Sequence, residues 1–309
     1  LYNFFLYSIT TLIWGTTWLG IKLQLTQVPP ILSVSYRFFL ASMVLLLFCL
    51  ITRKKLRFSL RDQFFMAIQG ITLFSLGYCM CYLATIHLTS GLVSVVFTTI
   101  LMWNILNLRL FMRQPVEWRA FWGGMLGLVG VGFVFWEDLS ASATSRGLIG
   151  LSMGLAGAYL ASLGNVVSAR NSEAGIPVAP ANCYAMAYGG LLTLAIHFAG
   201  GGSLVMDWSF GYIGPLLYLA LFGSVIAFGT YFLLINRIGA EFAAYAILLM
   251  PIIALVLSTF YEDYNWRPSA VAGVSLVLIG NLVILTPTDK WRTLHGRLKN
   301  HFFGIQVTK

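Results

Sequence analysis

The chain has 309 residues, 59% of them hydrophobic and only 9% charged, with a mean hydropathy of +0.83. A water-soluble domain carries roughly 25% charged residues, so a soluble globular fold is excluded. The net charge of +9 would point a soluble protein towards nucleic acid. Here the basic residues lie between apolar stretches of about 20 residues, each able to cross a bilayer core of about 30 Å, so lipid is the expected partner and nucleic acid is not.

The pattern predicts an all-α polytopic membrane protein of ten transmembrane helices. The spans fall near 3–23, 31–51, 63–85, 90–111, 119–136, 147–168, 179–199, 212–234, 241–260 and 268–286. A membrane β-barrel would instead show alternating ten-residue segments. The first stretch is too long for a secretory signal and lacks a cleavage site, so it is expected to remain as a span. It carries Trp14, Trp18 and Lys22 at i, i+4 and i+8, which stacks them on one helix face. Lys22 either snorkels to the nearer interface beside an aromatic belt or faces protein or water.

Arg37 lies seven residues into the second span, about 10 Å deep by helical rise. Two cations at this depth need counter-charge. The candidates are Glu262 or Asp263 of an outer loop, a cluster of carbonyls, or an anionic group on a substrate. Further along, Tyr78 and Tyr82 mark the third span, and Thr99, Trp103 and Asn107 one face of the fourth. Tyr159, Ser162 and Asn165 mark the sixth, and Ser224, Phe228 and Tyr231 the eighth. Tyr245 precedes Pro251 in the ninth, where proline frees a carbonyl. Each stripe alone serves helix packing or a site. Several converging in one bundle need a water-filled or ligand-filled space.

Gly123-x-x-x-Gly127 and Gly150-x-x-x-Gly154 are close-approach motifs, within the fold or between subunits, so a homo-oligomer is allowed. The four cysteines lie in apolar segments and are expected to pack rather than pair. No hydrolase triad, P-loop, dinucleotide fingerprint or metal-ligand spacing occurs, so no catalytic residue, metal or cofactor is expected. Glu137, Asp138, Asp207, Glu262 and Asp263 fall at outer span ends and Glu241 at an inner end, which leaves no mid-depth carboxylate for proton coupling. After the last span, Trp291, Leu294, Leu298, Phe302 and Ile305 recur at spacings of three and four among basic residues. This pattern reads as an amphipathic helix on the inner leaflet or as a disordered tail.

With a cytoplasmic N-terminus, fifteen of the nineteen Lys and Arg residues lie on the inside and only Arg146 and Arg267 outside. That bias places both termini in the cytoplasm. Ten spans divide into five plus five, and an odd number per half reverses the second half. Tyr82–Val134 aligns without gaps on Tyr231–Val283 at an offset of 149, bringing Tyr82 onto Tyr231, Ile86 onto Ile235 and Gly124 onto Gly273. Chance likeness between apolar helices is the alternative. Inverted repeats are a recurring transporter design with a site near the midplane.

The run IWGTTWLGIK from Ile13 to Lys22, then Val28-Pro29-Pro30 and the segment Arg37 to Ala41, resembles the opening of the EamA family of the drug/metabolite transporter superfamily. Tyr82 through Val93 resembles its third-to-fourth-helix turn, Gly239 through Pro251 the second copy, and Pro268 through Gly280 the final helix. The usual proline of the fourth helix is replaced here by Ile100-Leu101-Met102. The acidic residue that follows that helix falls near Gln114, and near Tyr264 in the second copy, with Glu262 two residues early.

The resemblance implies two inverted five-helix repeats, 1–140 and 141–286, a tail at 287–309, a central cavity and alternating access. The expected function is export of small organic metabolites such as amino acids across a bacterial inner membrane. The alternatives are an exporter of amphipathic drugs or other metabolites, and a non-transporting sensor or assembly subunit. The expected substrate site comprises Trp14, Trp18, Lys22, Arg37, Tyr78, Tyr82, Thr99, Trp103, Tyr159, Phe228, Tyr231 and Tyr245, with Lys22 or Arg37 meeting a carboxylate. The partners expected are a small-molecule substrate and the bilayer.

Overall fold

A computed structural model of the chain describes residues 2–113, 115–116, 118–136, 145–238 and 245–285. The expected amphipathic tail and Glu241 lie outside the described residues, as does the side chain of Tyr245.

Every regular element among the described residues is helical. α1 (Tyr2–Leu23) and α2 (Pro30–Ile51) are followed by α3. This helix has three parts: Leu60–Gln69, a π-helical stretch Gly70–Gly77, and Tyr78–His87. In α4, Ser90–Phe97 and Ile100–Met112 flank a turn at Thr98 and Thr99. α5 (Trp118–Val134), α6 (Ser145–Glu173) and α7 (Val178–Ala199) come next. α8 repeats the three-part build, with Phe210–Tyr218, a π-helical stretch Leu219–Ile226, and Ala227–Ile238. α9 (Tyr245–Tyr261) and α10 (Pro268–Leu285) complete the set.

Seven of these helices are long and apolar enough to cross a membrane, and α5 and α9 hold shorter apolar segments, Phe121–Val134 and Ala246–Tyr261. α7 has the length of 22 residues, but Pro180, Asn182 and His197 dilute its hydropathy. The protein is thus an all-α polytopic membrane protein, with seven helices meeting both criteria where ten spans were expected.

Local chemistry sets the helix ends. Pro30 stands at the first position of α2, where its missing N–H costs nothing. Ser59 and Thr89 cap the starts of α3 and α4 by accepting from Asp62 N and Leu92 N. Ahead of α8, Asp207 accepts from the backbone N–H of Ser209 at 2.8 Å. That bond holds its carboxyl below the usual range.

Polar groups are buried in the bundle beside an apolar core, and many large apolar side chains also face outward, as lipid contact requires. Trp118, Trp122, Phe48 and Phe260 are exposed. Within the bundle, Gln69 donates to Asn182 at 3.0 Å and accepts from Asn171 at 3.1 Å, joining α3, α6 and α7. All four cysteines are buried and free.

Two pairings define the architecture. A Cβ on Gly280 would sit 2.4 Å from Gly123 O, and one on Gly130 would sit 2.6 Å from Gly273 O, so α5 and α10 run antiparallel with backbones touching. Ser35 Oγ donates to Gly190 O at 2.9 Å and Ser42 Oγ to Cys183 O at 2.8 Å, so α2 and α7 are antiparallel as well. Gly150 and Gly154 of α6 pack on Leu88 and Val96, so this motif too is used within the fold. The two π-helical stretches begin and end 149 residues apart, the offset at which the two halves of the sequence align.

Candidate functional site

A continuous run of aromatic rings crosses the bundle. Tyr231 of α8 meets Trp14 of α1 at 4.9 Å between centroids, and Trp14 meets Phe228 at 5.5 Å. Phe228 faces Phe74 of α3 at 6.3 Å, and Phe74 faces Phe38 of α2 at 5.1 Å. Phe38 then meets Tyr78 at 4.9 Å. Trp14, Tyr78, Phe228 and Tyr231 are only half-buried. The helical register of α1 and α3 presents these rings inward, and the hydroxyl pair Thr10–Thr230 at 2.9 Å holds α8 against α1.

Arg37 ends the run. Its guanidinium lies 4.7 Å from the Tyr78 ring centroid and 5.2 Å from that of Phe38. Nε donates to Ser224 Oγ at 3.2 Å. Ser224 in turn donates to Leu219 O at 3.0 Å, the carbonyl five residues back that opens the π stretch. Nη1 has no hydrogen-bond partner although Arg37 is only 1% exposed. Among the described residues no carboxylate pairs with it, whereas Lys22 pairs with Glu262 and Arg170 with Asp62. Each cation–π contact contributes about 0.5–2 kcal/mol, whereas burying an uncompensated ion costs several kcal/mol, so the charge is left short of partners.

Lys22 is placed differently. Its Nζ donates to Thr85 O at 2.6 Å and to Leu88 O at 3.4 Å, at the C-terminal end of α3, and lies 3.9 Å from Glu262. Glu262 accepts from the backbone N–H of Ser90 at 3.0 Å and from the hydroxyls of Ser90 and Ser258. Cation on carbonyls and anion on amides complement the two helix ends at the α3–α4 turn. Of the counter-charges the sequence offered, Lys22 thus has both the loop acid and the carbonyl cluster, and Arg37 has neither.

The other expected residues divide. Tyr82 donates to Gln24 Oε1 at 2.7 Å and its phenol, with that of Tyr78, neighbours Arg37. Trp18 is buried against Phe97 of α4 at 5.2 Å, joined to neither Trp14 nor Arg37 by a ring contact. Trp103 and Tyr159 form a separate pair between α4 and α6 at 5.3 Å. Thr99 spends its hydroxyl on Val96 O of its own helix.

Sequence reasoning missed Phe38, Phe74 and Gln24. Phe74 was within reach, since it lies four residues before Tyr78 and eight before Tyr82. Gln24 lies just past the end of α1, where helical periodicity says nothing.

The chain matches the EamA-like transporter family over residues 3–136 and again over 148–286. It belongs to that family. Among curated relatives it is 24% identical over 286 residues to an "Uncharacterized transporter" of Buchnera aphidicola, covering 89% of this chain and 93% of that one. It is 27% identical to the "Uncharacterized inner membrane transporter YedA" of Escherichia coli K12, covering 87% of both chains. A further relative is the "Uncharacterized transporter YoaV" of Bacillus subtilis, at 25% identity with 87% and 92% covered. A solved crystal structure superimposes with a TM-score of 0.64 at 18% identity, covering 94% of this chain and 98% of that one. At that identity the likeness is one of fold. Membership of the EamA-like family makes this chain a membrane transporter.

Proposed function

We propose that this EamA-like protein is a multi-pass carrier of the bacterial inner membrane that exports small organic metabolites, amino acids among them, by alternating access. The observation that carries the reading is the aromatic run from Tyr231 to Arg37, assembled from α1, α2, α3 and α8. Its half-buried rings offer apolar recognition inside a bundle whose polar groups point inward, the chemistry of a small-molecule site. The inner-membrane assignment draws on the relative of that description and on the basic residues crowded between spans.

Residues 1–140 and 141–286 are read as two inverted repeats. The two family matches, the π stretches 149 residues apart, and the antiparallel pairs α2/α7 and α5/α10 support this, because equivalent helices of inverted halves must run in opposite directions. Lys22 and Glu262 then close the outer end of the bundle.

The test is counterflow in proteoliposomes loaded with unlabelled amino acids, following uptake of a labelled panel. Saturable uptake competed by the same compounds supports the reading. If no amino acid exchanges while amphipathic drugs do, the substrate class is wrong and the carrier stands. If neither class moves, the carrier reading falls.

A further inference from the structure

The offset of 149 that brings the two π stretches together also gives Arg37 a counterpart. Arg37 falls on Met186 of α7, and Ser224 falls on Ser75 of α3. The equivalent pair lacks the polar contact: Met186 is fully buried, and Ser75 Oγ is buried without a hydrogen-bond partner. At one of two equivalent positions packing is thus satisfied by a shorter, uncharged side chain. The guanidinium is therefore not something the scaffold requires for packing.

What surrounds the charge is equally one-sided. Nη1 of Arg37 has no partner, and the same holds for Nε2 of Gln24, whose Oε1 already accepts from Tyr82. Both groups are donors, and the Tyr82 phenol stands between them as a neighbour of each. The Tyr82 and Tyr78 phenols that face the guanidinium are polar but uncharged. An unfilled donor on a buried cation at the end of an apolar wall therefore matches a ligand with an apolar body and an anionic head.

We infer that Arg37 is the anion subsite of the carrier and takes the single carboxylate of an apolar-bodied substrate, an amino acid or a simple acid alike, while Lys22 serves the helix ends. The inference rests on the carrier reading above. One uncompensated positive charge is neutralised by one negative charge; a phosphate dianion would leave an excess buried charge. Because Arg37 is enclosed, a ligand can reach it only if α8 parts from α2 at the Arg37–Ser224 contact.

The experiment uses matched probes on the purified full chain: 3-phenylpropionate, its neutral amide 3-phenylpropanamide, and phenyl phosphate. Each is scored by its thermal shift of the protein in detergent and by its competition with labelled phenylalanine in counterflow. In the wild type, 3-phenylpropionate is expected to act at concentrations at least tenfold below the amide and below phenyl phosphate. Arg37→Met, which copies the residue at the equivalent position, is expected to keep its folded yield and to bind acid and amide alike. Equal potency of acid and amide in the wild type, or an acid preference that survives Arg37→Met, overturns the inference. A stronger effect of phenyl phosphate overturns the monoanion assignment.

The wild-type comparison decides the matter even where Arg37→Met does not fold. Absence of phenylalanine flux counts against the amino-acid substrate class of the carrier reading, while the thermal shifts still score the subsite. Flux without acid preference keeps the carrier and removes the subsite.

Discussion

Lys22 and Glu262 approach to 3.9 Å across the α3–α4 turn, the lysine on carbonyls at the end of α3 and the glutamate on the first amide of α4, that of Ser90. Their exposures differ: the Lys22 side chain is 32% exposed and that of Glu262 7%. Glu262→Ala strands the Ser90 N–H in a buried place and is expected to cost about 1–3 kcal/mol. Lys22→Ala is expected to cost about 1 kcal/mol or less, because solvent already screens the ammonium. Thermal unfolding of both variants in detergent tests the ranking. A larger loss for Lys22→Ala would show that the ammonium, not the carboxylate, holds this turn.

The α5–α10 contact predicts a sharp contrast between glycines. Gly280→Ala forces a methyl to within 2.4 Å of Gly123 O, where only backbone can yield, whereas nothing lies within 4 Å of a Cβ at Gly132. The first change is expected to destabilise by about 1–3 kcal/mol through overpacking, and the second to be neutral or slightly stabilising. Melting temperatures of the two proteins in the same detergent give the answer. Equal values would mean that the helices are not in backbone contact.

The aromatic run predicts which tryptophans matter for transport. Trp14 touches both Phe228 and Tyr231, so Trp14→Ala is expected to weaken substrate competition about tenfold, or about 1.4 kcal/mol. Trp118, 74% exposed on α5, is expected to tolerate Ala with flux unchanged. Counterflow in proteoliposomes separates the two. Loss of flux in Trp118→Ala with full activity in Trp14→Ala would move the site away from the bundle centre.

Orientation is testable from two loops. Lys55 lies between α2 and α3, and Leu204 between α7 and α8; both are exposed. The native cysteines are buried, so background labelling is low. With both termini cytoplasmic, a membrane-impermeant maleimide on intact cells is expected to label Leu204→Cys and spare Lys55→Cys. The opposite pattern inverts the topology and places Lys22 at the cytoplasmic face.

The sequence was most informative where one dimension suffices. Apolar length and proline and glycine punctuation located the helices within a few residues, although α6 runs on to Glu173, past the expected end at 168. Helical spacing put Trp14, Tyr78, Phe228 and Tyr231 on inward faces, since register fixes direction once the helix is known. The π stretches were not legible. They depend on where α7 and α2 press against Gly70–Gly77 and Leu219–Ile226, and no residue pattern in those stretches announces an i→i+5 ladder.

By itself the sequence determined a polytopic helical membrane protein with transporter character, because hydropathy and close-packing glycines are properties of each segment alone. It offered Lys22 and Arg37 as equals, two cations at similar depth on successive helices. Only the tertiary structure separated them. Glu262 reaches Lys22 from 240 positions away, while Arg37 meets two aromatic faces, a serine hydroxyl and the phenols of Tyr78 and Tyr82. The state of a buried charge depends on what other helices bring to it, and no local pattern encodes that.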